Sequence, residues 1–265
     1  MAESILCSAC GEMVSIGHKF CGGCGQLLIP DGSSQSSRRT WHSLRLIQKD
    51  GSDGVLFDIS DKGSLVGRTE GEVRFPHDAT VSPIHVAFKY VNEQLVVRDL
   101  KSLNGTFVRI NETIAIRDKD VFQCGEQFLR FETVGWLRDA VAAEDDDTTN
   151  QPVEQGHAAK FFATPRRLWR YKLSQLLAGD TLGLSYCSVN PDTVIGREGC
   201  DLNFGSDLYI SGRHCAIEQR GSLFYLHDLS SRNGTFVKLN GERILNVGDS
   251  LFVGRQLLRV EARAS

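Results

Sequence analysis

The sequence lacks any apolar run long enough to span a bilayer, which needs about 18 to 20 residues, and it begins without a signal-peptide pattern. We therefore expect a cytoplasmic protein with no membrane partner. Hydrolase nucleophile elbows, phosphate-binding P-loops and the lysine and aspartate set of kinases are also missing, which argues against an enzyme. The net charge is only −3, so a diffuse electrostatic grip on nucleic acid is not expected and any anion site must be local.

What the chain does contain is an internal repeat without gaps. Residues 67–132 align with residues 196–261 at a constant offset of 129 positions, with 22 identities in 66 positions. The shared residues outside the apolar positions are mostly glycine, arginine, serine, histidine and asparagine, which are types that shape loops and hold anions. Two copies of one loop-borne binding site are therefore predicted.

Short alternating apolar segments separated by turn residues run through both copies. The segment 85–100 turns at Asn92 and Glu93, and its counterpart turns at Arg220 and Gly221, so each is predicted to be a β-hairpin. No long helical period is present, which favours an all-β sandwich in each copy.

The order and spacing of the shared residues resemble the forkhead-associated (FHA) domain. The resemblance lies in Gly-Arg, then Ser-x-x-His fifteen residues after the glycine, then Asn-Gly-Thr about twenty further on, and it covers residues 42–133 and 165–262. Members of that family are β-sandwiches that read phosphothreonine peptides. The resemblance implies two FHA-like β-sandwiches, each with a peptide-reading site.

Four cysteines near the N-terminus form two Cys-x-x-Cys-Gly pairs, Cys7 with Cys10 and Cys21 with Cys24. Four thiolates at this spacing predict one structural Zn²⁺ with no open position for catalysis, in a segment similar to short zinc ribbons. Iron in a rubredoxin-like site is the alternative. Because so few residues cannot fold alone, metal binding and folding should be coupled.

The domain organisation follows from these segments. We expect a Ser-rich flexible linker and an acidic linker, the second long enough to let the two sandwiches sit apart or side by side. The predicted ranges are 1–29 for the zinc ribbon, 30–40 for the first linker, 41–133 for the first sandwich, 134–164 for the acidic linker and 165–262 for the second sandwich.

In the second copy the resemblance implies a complete phosphate site. Arg197 and Ser211 would contact the phosphate, Arg213 and Arg232 would add positive charge, and Asn233 would hold the peptide backbone. The remaining matched residues are expected to support the loops: Gly196, His214 and Gly234 in this copy, and Gly67, His85 and Gly105 in the first.

The first copy retains Arg68, Ser82 and Asn104 but has Ile84 and Leu103 where the second has Arg213 and Arg232. Each charge-assisted hydrogen bond contributes roughly 1.5–3 kcal/mol, so the loss of even one weakens binding by about tenfold or more. We therefore expect the second sandwich to be the stronger reader.

The function favoured by the sequence is a non-catalytic phosphothreonine-peptide adaptor in Ser/Thr-kinase signalling. Its partner would be a phosphothreonine-containing protein or a kinase, or another copy of itself through a phosphorylated Thr40, Thr148 or Thr149. The alternative is a zinc-ribbon protein associated with nucleic acid, or a scaffold whose sandwiches dock partners without phosphate. The ribbon has few basic or aromatic residues, so nucleic acid is the weaker hypothesis.

Overall fold

The computed structural model describes residues 4–6, 13–15, 41–133, 169–178 and 181–263. The chain divides into two compact units, residues 1–40 and residues 41–265. In the first unit Ser4–Leu6 (β1) pairs antiparallel with Met13–Ser15 (β2). The four predicted zinc ligands and the two predicted linkers lie outside the described residues. Across the described ranges no helix is long and apolar enough to cross a membrane.

The second unit is built of β-strands, which confirms the all-β prediction. Its first-copy strands are β3 (His42–Ile47), β4 (Asp53–Asp58), β5 (Ser64–Gly67), β6 (Val73–Arg74), β7 (Val86–Val91), β8 (Gln94–Asp99), β9 (Thr106–Arg109), β10 (Ile114–Ile116), β11 (Val121–Cys124) and β12 (Gln127–Thr133). Its second-copy strands are β13 (Tyr171–Leu176), β14 (Leu182–Ser188), β15 (Asp192–Gly196), β16 (Leu202–Asn203), β17 (Cys215–Arg220), β18 (Leu223–Asp228), β19 (Thr235–Lys238), β20 (Glu242–Leu245), β21 (Ser250–Val253) and β22 (Gln256–Ala262).

Both central hairpins form as the sequence predicts, with the turn of the second one residue later than the predicted Arg220 and Gly221 because Arg220 still pairs with Leu223. Strands β7 and β8 join through Asn92 and Glu93, whose φ angles of 47° and 65° are those of the left-handed region. Such angles give a two-residue turn the twist that antiparallel strands require. In the second copy β17 and β18 join through Gly221, with φ of 61°, and Ser222.

Three sheets make up the unit. One five-stranded sheet has the order β20-β8-β7-β5-β6, and its counterpart has the order β10-β18-β17-β15-β16. A single ten-stranded sheet with the order β14-β13-β12-β11-β19-β9-β21-β22-β3-β4 provides the second layer of both sandwiches. The two copies meet at its centre, where β9 and β19 pair antiparallel with Val108 opposite Val237.

These pairings show that the two copies exchange their C-terminal strands. We call residues 110–133 and 239–262 the exchanged segments. In the first, β10 pairs with β18, and β12 pairs with β13; in the second, β20 pairs with β8, and β22 pairs with β3. The chain crosses over immediately after β9 and β19, where Ile110 donates its N–H to the Thr235 carbonyl and Leu239 donates to the Thr106 carbonyl.

The hydrophobic cores follow the exchange. The first core combines side chains from 44–108 with Leu239, Leu245, Leu251, Val253, Leu258 and Val260. The second core combines side chains from 171–226 with Ile110, Ile116, Phe122, Cys124, Leu129 and Phe131, which are the same six positions 129 residues earlier. Because a buried aliphatic or aromatic side chain contributes about 1.5–3 kcal/mol, each exchanged segment contributes on the order of 10 kcal/mol to the other copy's core.

The observed sandwiches therefore differ from the contiguous ranges 41–133 and 165–262 expected from the sequence. Each consists of one copy's first seven strands and the other copy's last three. A repeat reveals which segments are alike but not which copy a segment pairs with, since both copies carry the same apolar pattern. Thr133 and Tyr171, on either side of the predicted acidic linker, are opposite each other in β12 and β13. The two sandwiches therefore share one sheet and do not sit apart.

Candidate functional site

Three loops of the second copy converge at one end of its sandwich and bring the predicted site residues together. The Arg197 N–H donates to the Ser211 carbonyl at 2.9 Å, which joins the loop after β15 to the loop before β17. The Arg232 N–H donates to the Ser211 hydroxyl at 3.1 Å, and the Asn233 amide donates to the Tyr209 carbonyl at 2.7 Å. Arginine, serine and asparagine, far apart in sequence, thus share one surface.

The Ser211 hydroxyl is oriented as a donor for a ligand. Its oxygen accepts the Arg232 N–H, and its own proton has no acceptor among the described residues. The Asn233 side chain likewise donates one N–H to the Tyr209 carbonyl. Its carbonyl oxygen and its second N–H have no partner among the described residues. These unused groups are the ones that a phosphate oxygen and a peptide backbone need.

His214 lies buried beneath this surface and joins two of its loops by hydrogen bonds. Its side chain is fully buried; Nδ1 accepts the Ser211 N–H at 3.0 Å, and Nε2 donates to the Gly234 carbonyl at 3.0 Å. Burial lowers the pKa of His214, and the hydrogen bond to Gly234 opposes that only in part. The imidazole is therefore neutral near pH 7 with its proton on Nε2, and it joins the serine loop to the loop that carries Asn233.

Asp228 shapes the loop that carries Asn233. Its carboxylate accepts the Ser231 N–H at 2.8 Å, the Ser231 hydroxyl at 2.6 Å and the Thr235 hydroxyl at 2.7 Å. The Ser231 hydroxyl in turn accepts the Gly234 N–H at 2.9 Å. These four hydrogen bonds hold the base of the loop together and thereby fix the position of the exposed asparagine.

The two glycines of the site are required for different reasons. Gly234 has φ of +83°, a conformation that a side chain disfavours. Gly196 does not have a positive φ; a Cβ there would instead collide with the Gly212 carbonyl oxygen and lie 2.8 Å from Cys200 Sγ. Its role is to let the backbone of the serine loop approach the arginine loop closely.

The first copy repeats this geometry. The Arg68 N–H donates to the Ser82 carbonyl at 2.8 Å, the Leu103 N–H donates to the Ser82 hydroxyl at 2.9 Å, and Asn104 donates to the Thr80 carbonyl at 2.7 Å. His85 accepts the Ser82 N–H at 3.0 Å and bridges to the Gly105 carbonyl at 3.1 Å, and burial lowers its pKa as well. Gly67, like Gly196, faces a carbonyl oxygen, here that of Pro83.

The two sites differ in the residues around this shared centre. In the second site Arg213 and Arg232 are exposed. In the first, the corresponding residues are apolar and exposed: Leu103 has 86% and Ile84 has 37% of its surface exposed. The first site is therefore bordered by an apolar patch where the second is cationic.

The arginines of the second site have no counter-ion among the described residues. Within the described ranges the structure gives Arg197, Arg213 and Arg232 no side-chain hydrogen bond and no ion pair, whereas Arg220 and Arg259 pair with glutamates. Unpaired guanidinium groups and hydroxyl donors are the groups with which proteins bind anions. Arg68 in the first site is also without a carboxylate partner among the described residues.

Sequence reasoning missed a contact that links each site to the other copy. Buried Asp207, in the loop that carries Ser211, accepts the Glu126 N–H and the Gln127 amide, each at 2.7 Å. Both donors belong to the exchanged segment 110–133. Asp78 does the same for the first site, where it accepts the Arg255 N–H at 3.0 Å and the Gln256 amide at 2.7 Å. Only the pairing of the strands reveals this.

The described residues hold no cluster of His, Cys, Asp or Glu that could bind a metal ion. Cys124 and Cys215 are buried free thiols, and Cys187 and Cys200 are half-buried. Burial raises the pKa of Cys200, and the nearby Arg213 charge opposes this shift. The predicted zinc ligands Cys7, Cys10, Cys21 and Cys24 lie outside the described residues.

Comparison with known proteins finds one family of domains in both copies of the repeat. The sequence model of the FHA domain matches residues 64–125 and 193–254, one stretch in each copy. Each matched stretch begins in one sandwich and ends, in its exchanged segment, in the other.

The chain is also similar to individual proteins. It is 33% identical over 87 residues to the FHA domain-containing protein FhaB of Mycolicibacterium smegmatis; the alignment covers 32% of this chain and 56% of that protein, so the chain spans just over half of that relative's length. A chain solved for the structural and functional analysis of phosphothreonine-dependent FHA domain interactions is 29% identical, with 36% of this chain and 98% of that chain covered and a TM-score of 0.22. The FHA domain of FhaA, solved in complex with the intracellular domain of Rv3910, is 26% identical, with 34% and 99% covered and a TM-score of 0.20.

Proposed function

We propose that this chain is a non-catalytic adaptor that binds phosphothreonine peptides in Ser/Thr-kinase signalling. The observation that carries the proposal is the convergence of Arg197, Ser211 and Asn233 on one surface. There the guanidinium, the hydroxyl proton and half of the amide are unused by the protein within the described residues. The FHA domain match to both copies supports the same function.

The chemistry of the site suits a phosphate monoester. Such a group carries about −1.5 to −2 charges near pH 7 and offers three strong acceptor oxygens. Arg197 supplies a fixed charge, Ser211 supplies a hydroxyl donor, and exposed Arg213 and Arg232 raise the local positive potential. Binding should weaken below about pH 6, where the phosphate gains its second proton.

The second site is proposed as the stronger reader. It has two exposed arginines where the first site has Ile84 and Leu103, while the hydrogen-bonded centre is the same in both. The affinity difference should therefore come from charge and should shrink as salt concentration rises.

The test is calorimetric titration of the full chain with a degenerate phosphothreonine peptide pool and with its unphosphorylated twin. Removing Arg197 should weaken the stronger phase of phosphate-dependent binding by about tenfold or more, since each charge-assisted hydrogen bond is worth roughly 1.5–3 kcal/mol. Arg68→Ala should remove only the weaker phase. The whole chain is needed because each sandwich contains strands of both copies.

The matched control is Arg220→Ala, which removes an arginine of the same copy that pairs with Glu218 at 2.7 Å. It should leave both phases unchanged. Phosphate-independent binding, or binding that survives Arg68→Ala combined with Arg197→Ala, would contradict the proposal.

A second candidate applies to the first site alone. Its apolar border of Leu103 and Ile84 suits docking of an apolar partner surface without phosphate. Leu103→Asp would then abolish a phosphate-independent interaction and leave the second site intact. A nucleic-acid-associated role through the N-terminal ribbon remains the alternative for the whole chain.

The proposed adaptor also has a zinc site and a phosphorylated partner. We infer one structural Zn²⁺ on Cys7, Cys10, Cys21 and Cys24, whose four thiolates would close the coordination shell. The partner of the adaptor would be a phosphothreonine-containing protein or a kinase of the cytoplasm. A phosphorylated Thr40, Thr148 or Thr149 would offer a ligand for self-association.

A further inference from the structure

Each candidate site is in contact with a basic side chain that comes from the other copy. At the second site the Arg109 guanidinium packs against Gly234; a Cβ built on this glycine would lie 2.9 Å from Arg109 Cζ. At the first site the Lys238 side chain packs against Gly105, where a Cβ would lie 3.2 Å from Lys238 Nζ. Arg109 and Lys238 are equivalent positions, 129 residues apart.

The strand exchange explains this placement. Strands β9 and β19 run antiparallel, with Phe236 opposite Arg109 and Lys238 opposite Phe107. The end of each strand therefore lies beside the beginning of the other, which is where the Asn-Gly-Thr loop leads into the strand. A basic residue at the end of β9 thereby reaches the second site, and one at the end of β19 reaches the first.

Neither cation is neutralised by a carboxylate in the part of the chain that the structure describes. Both side chains are half-buried, and the described part of the chain offers no hydrogen bond or ion pair to either. A partly desolvated charge without a partner is unfavourable, and a carboxylate supplied by a ligand would relieve that cost. The glycine that each cation touches directly follows the asparagine proposed to hold the peptide backbone, Asn233 or Asn104, so the cation lies beside the peptide path.

We infer that Arg109 and Lys238 are specificity-determining residues for the opposite copy's site, where each binds an acidic side chain flanking the phosphothreonine. The inference rests on the proposed phosphopeptide function. Its ligand is an acidic phosphopeptide, and the cation acts on the flanking carboxylate while Arg197 or Arg68 acts on the phosphate. Lys238 also supplies one positive charge to the first site, where Ile84 and Leu103 stand at the positions of Arg213 and Arg232.

The test uses the full chain with one site silenced at a time. In an Arg68→Gln background only the second site reads phosphate, and affinity is measured for two phosphothreonine peptide pools, one with acidic flanks and one with neutral flanks. Arg109→Gln should weaken binding of the acidic pool by about tenfold and change the neutral pool by less than about twofold. Arg109→Lys, which retains the charge, should recover most of the acidic preference.

Lys238→Gln is the matched control, since it should have no effect in this background. In an Arg197→Gln background the roles reverse: Lys238→Gln should remove the acidic preference, and Arg109→Gln should not. A loss of both pools together, an equal effect of the two variants on one site, or no acidic preference in the parent would overturn the inference. Failure of Arg68→Gln and Arg197→Gln to affect phosphate-dependent binding would instead overturn the proposed function.

Discussion

The strand exchange can be tested through two cysteines that it brings together. Cys124 lies in the exchanged segment of the first copy and Cys215 lies in β17 of the second, and both are buried in the second core. The neighbouring Cys215 thiol together with burial raises the pKa of Cys124 well above its usual range. If each copy closed on its own strands, the offset of 129 would place Cys124 against Val86 and Cys215 against Val253.

A disulfide between these cysteines would therefore report the exchange directly. It would close a loop of about 90 residues, which in the chain-entropy view stabilises the protein by about 4 to 5 kcal/mol. For a unit of this size each kcal/mol raises the melting temperature by about 2–4 °C, so the oxidised form should melt about 10 °C or more above the reduced form.

The assay is refolding from denaturant in a glutathione redox buffer, because the native thiols are buried. Thiol exchange joins Cys124 to Cys215 and converts one glutathione disulfide to two reduced glutathiones; mass spectrometry of non-reduced peptides then identifies the pair. The control variant carries Cys215→Val with Val86→Cys. It keeps the same side-chain types but places its introduced thiol beside Cys124 only if the copies do not exchange strands.

The expected result is linkage of Cys124 to Cys215 within one chain, with no linkage of Cys124 to the introduced thiol in the control variant. The reverse pattern would refute the exchange and restore two contiguous sandwiches. Linkage between two chains would show that the exchange takes place between copies of the protein instead of within one.

Two further predictions concern pH and metal. Burial lowers the folded-state pKa of His85 and His214, so the unfolded chain binds more protons near pH 6 than the folded chain does. The free energy of unfolding should therefore fall as pH drops below about 6.5, by up to about 2.7 kcal/mol per pH unit if both histidines are fully shifted. A melting temperature of the peptide-free protein that stays constant from pH 7.5 to 5.5 would contradict this. The N-terminal ribbon should release one Zn²⁺ per chain to a chelator, measured by a colorimetric dye, and Cys10→Ser should abolish that release; a stoichiometry near zero for the parent would exclude the site.

Local patterns in the sequence predict the strands and the loop contacts within each copy. The turn at Asn92 and Glu93 is predictable because asparagine accepts left-handed angles, and the hydrogen bonds of His214 and Asp228 follow from their fixed spacing to the loops that they contact. These contacts are short-range within one copy, so the spacing of the motif already contains them.

The pairing between copies is not predictable in the same way. Ile110 and Leu239 are both apolar residues at the same position of the repeat, and either could fill either core. Consequently the anchoring of Asp207 by Glu126 and Gln127, and the approach of Arg109 to Gly234, have no signal in the spacing of one copy. After β9 and β19 the chain passes to the other sandwich, and this crossover places each exchanged segment in the core of the other copy.

The exchange has a consequence for how such a duplicated chain evolves. When a module is duplicated, a copy whose binding site weakens is ordinarily free to decay or to be deleted. Here the first copy, which lacks the counterparts of Arg213 and Arg232, still supplies six side chains of the second core and the turn that anchors Asp207. Selection for the second site is thereby enough to preserve the first copy, and the loops of the first copy remain free to acquire a ligand of their own.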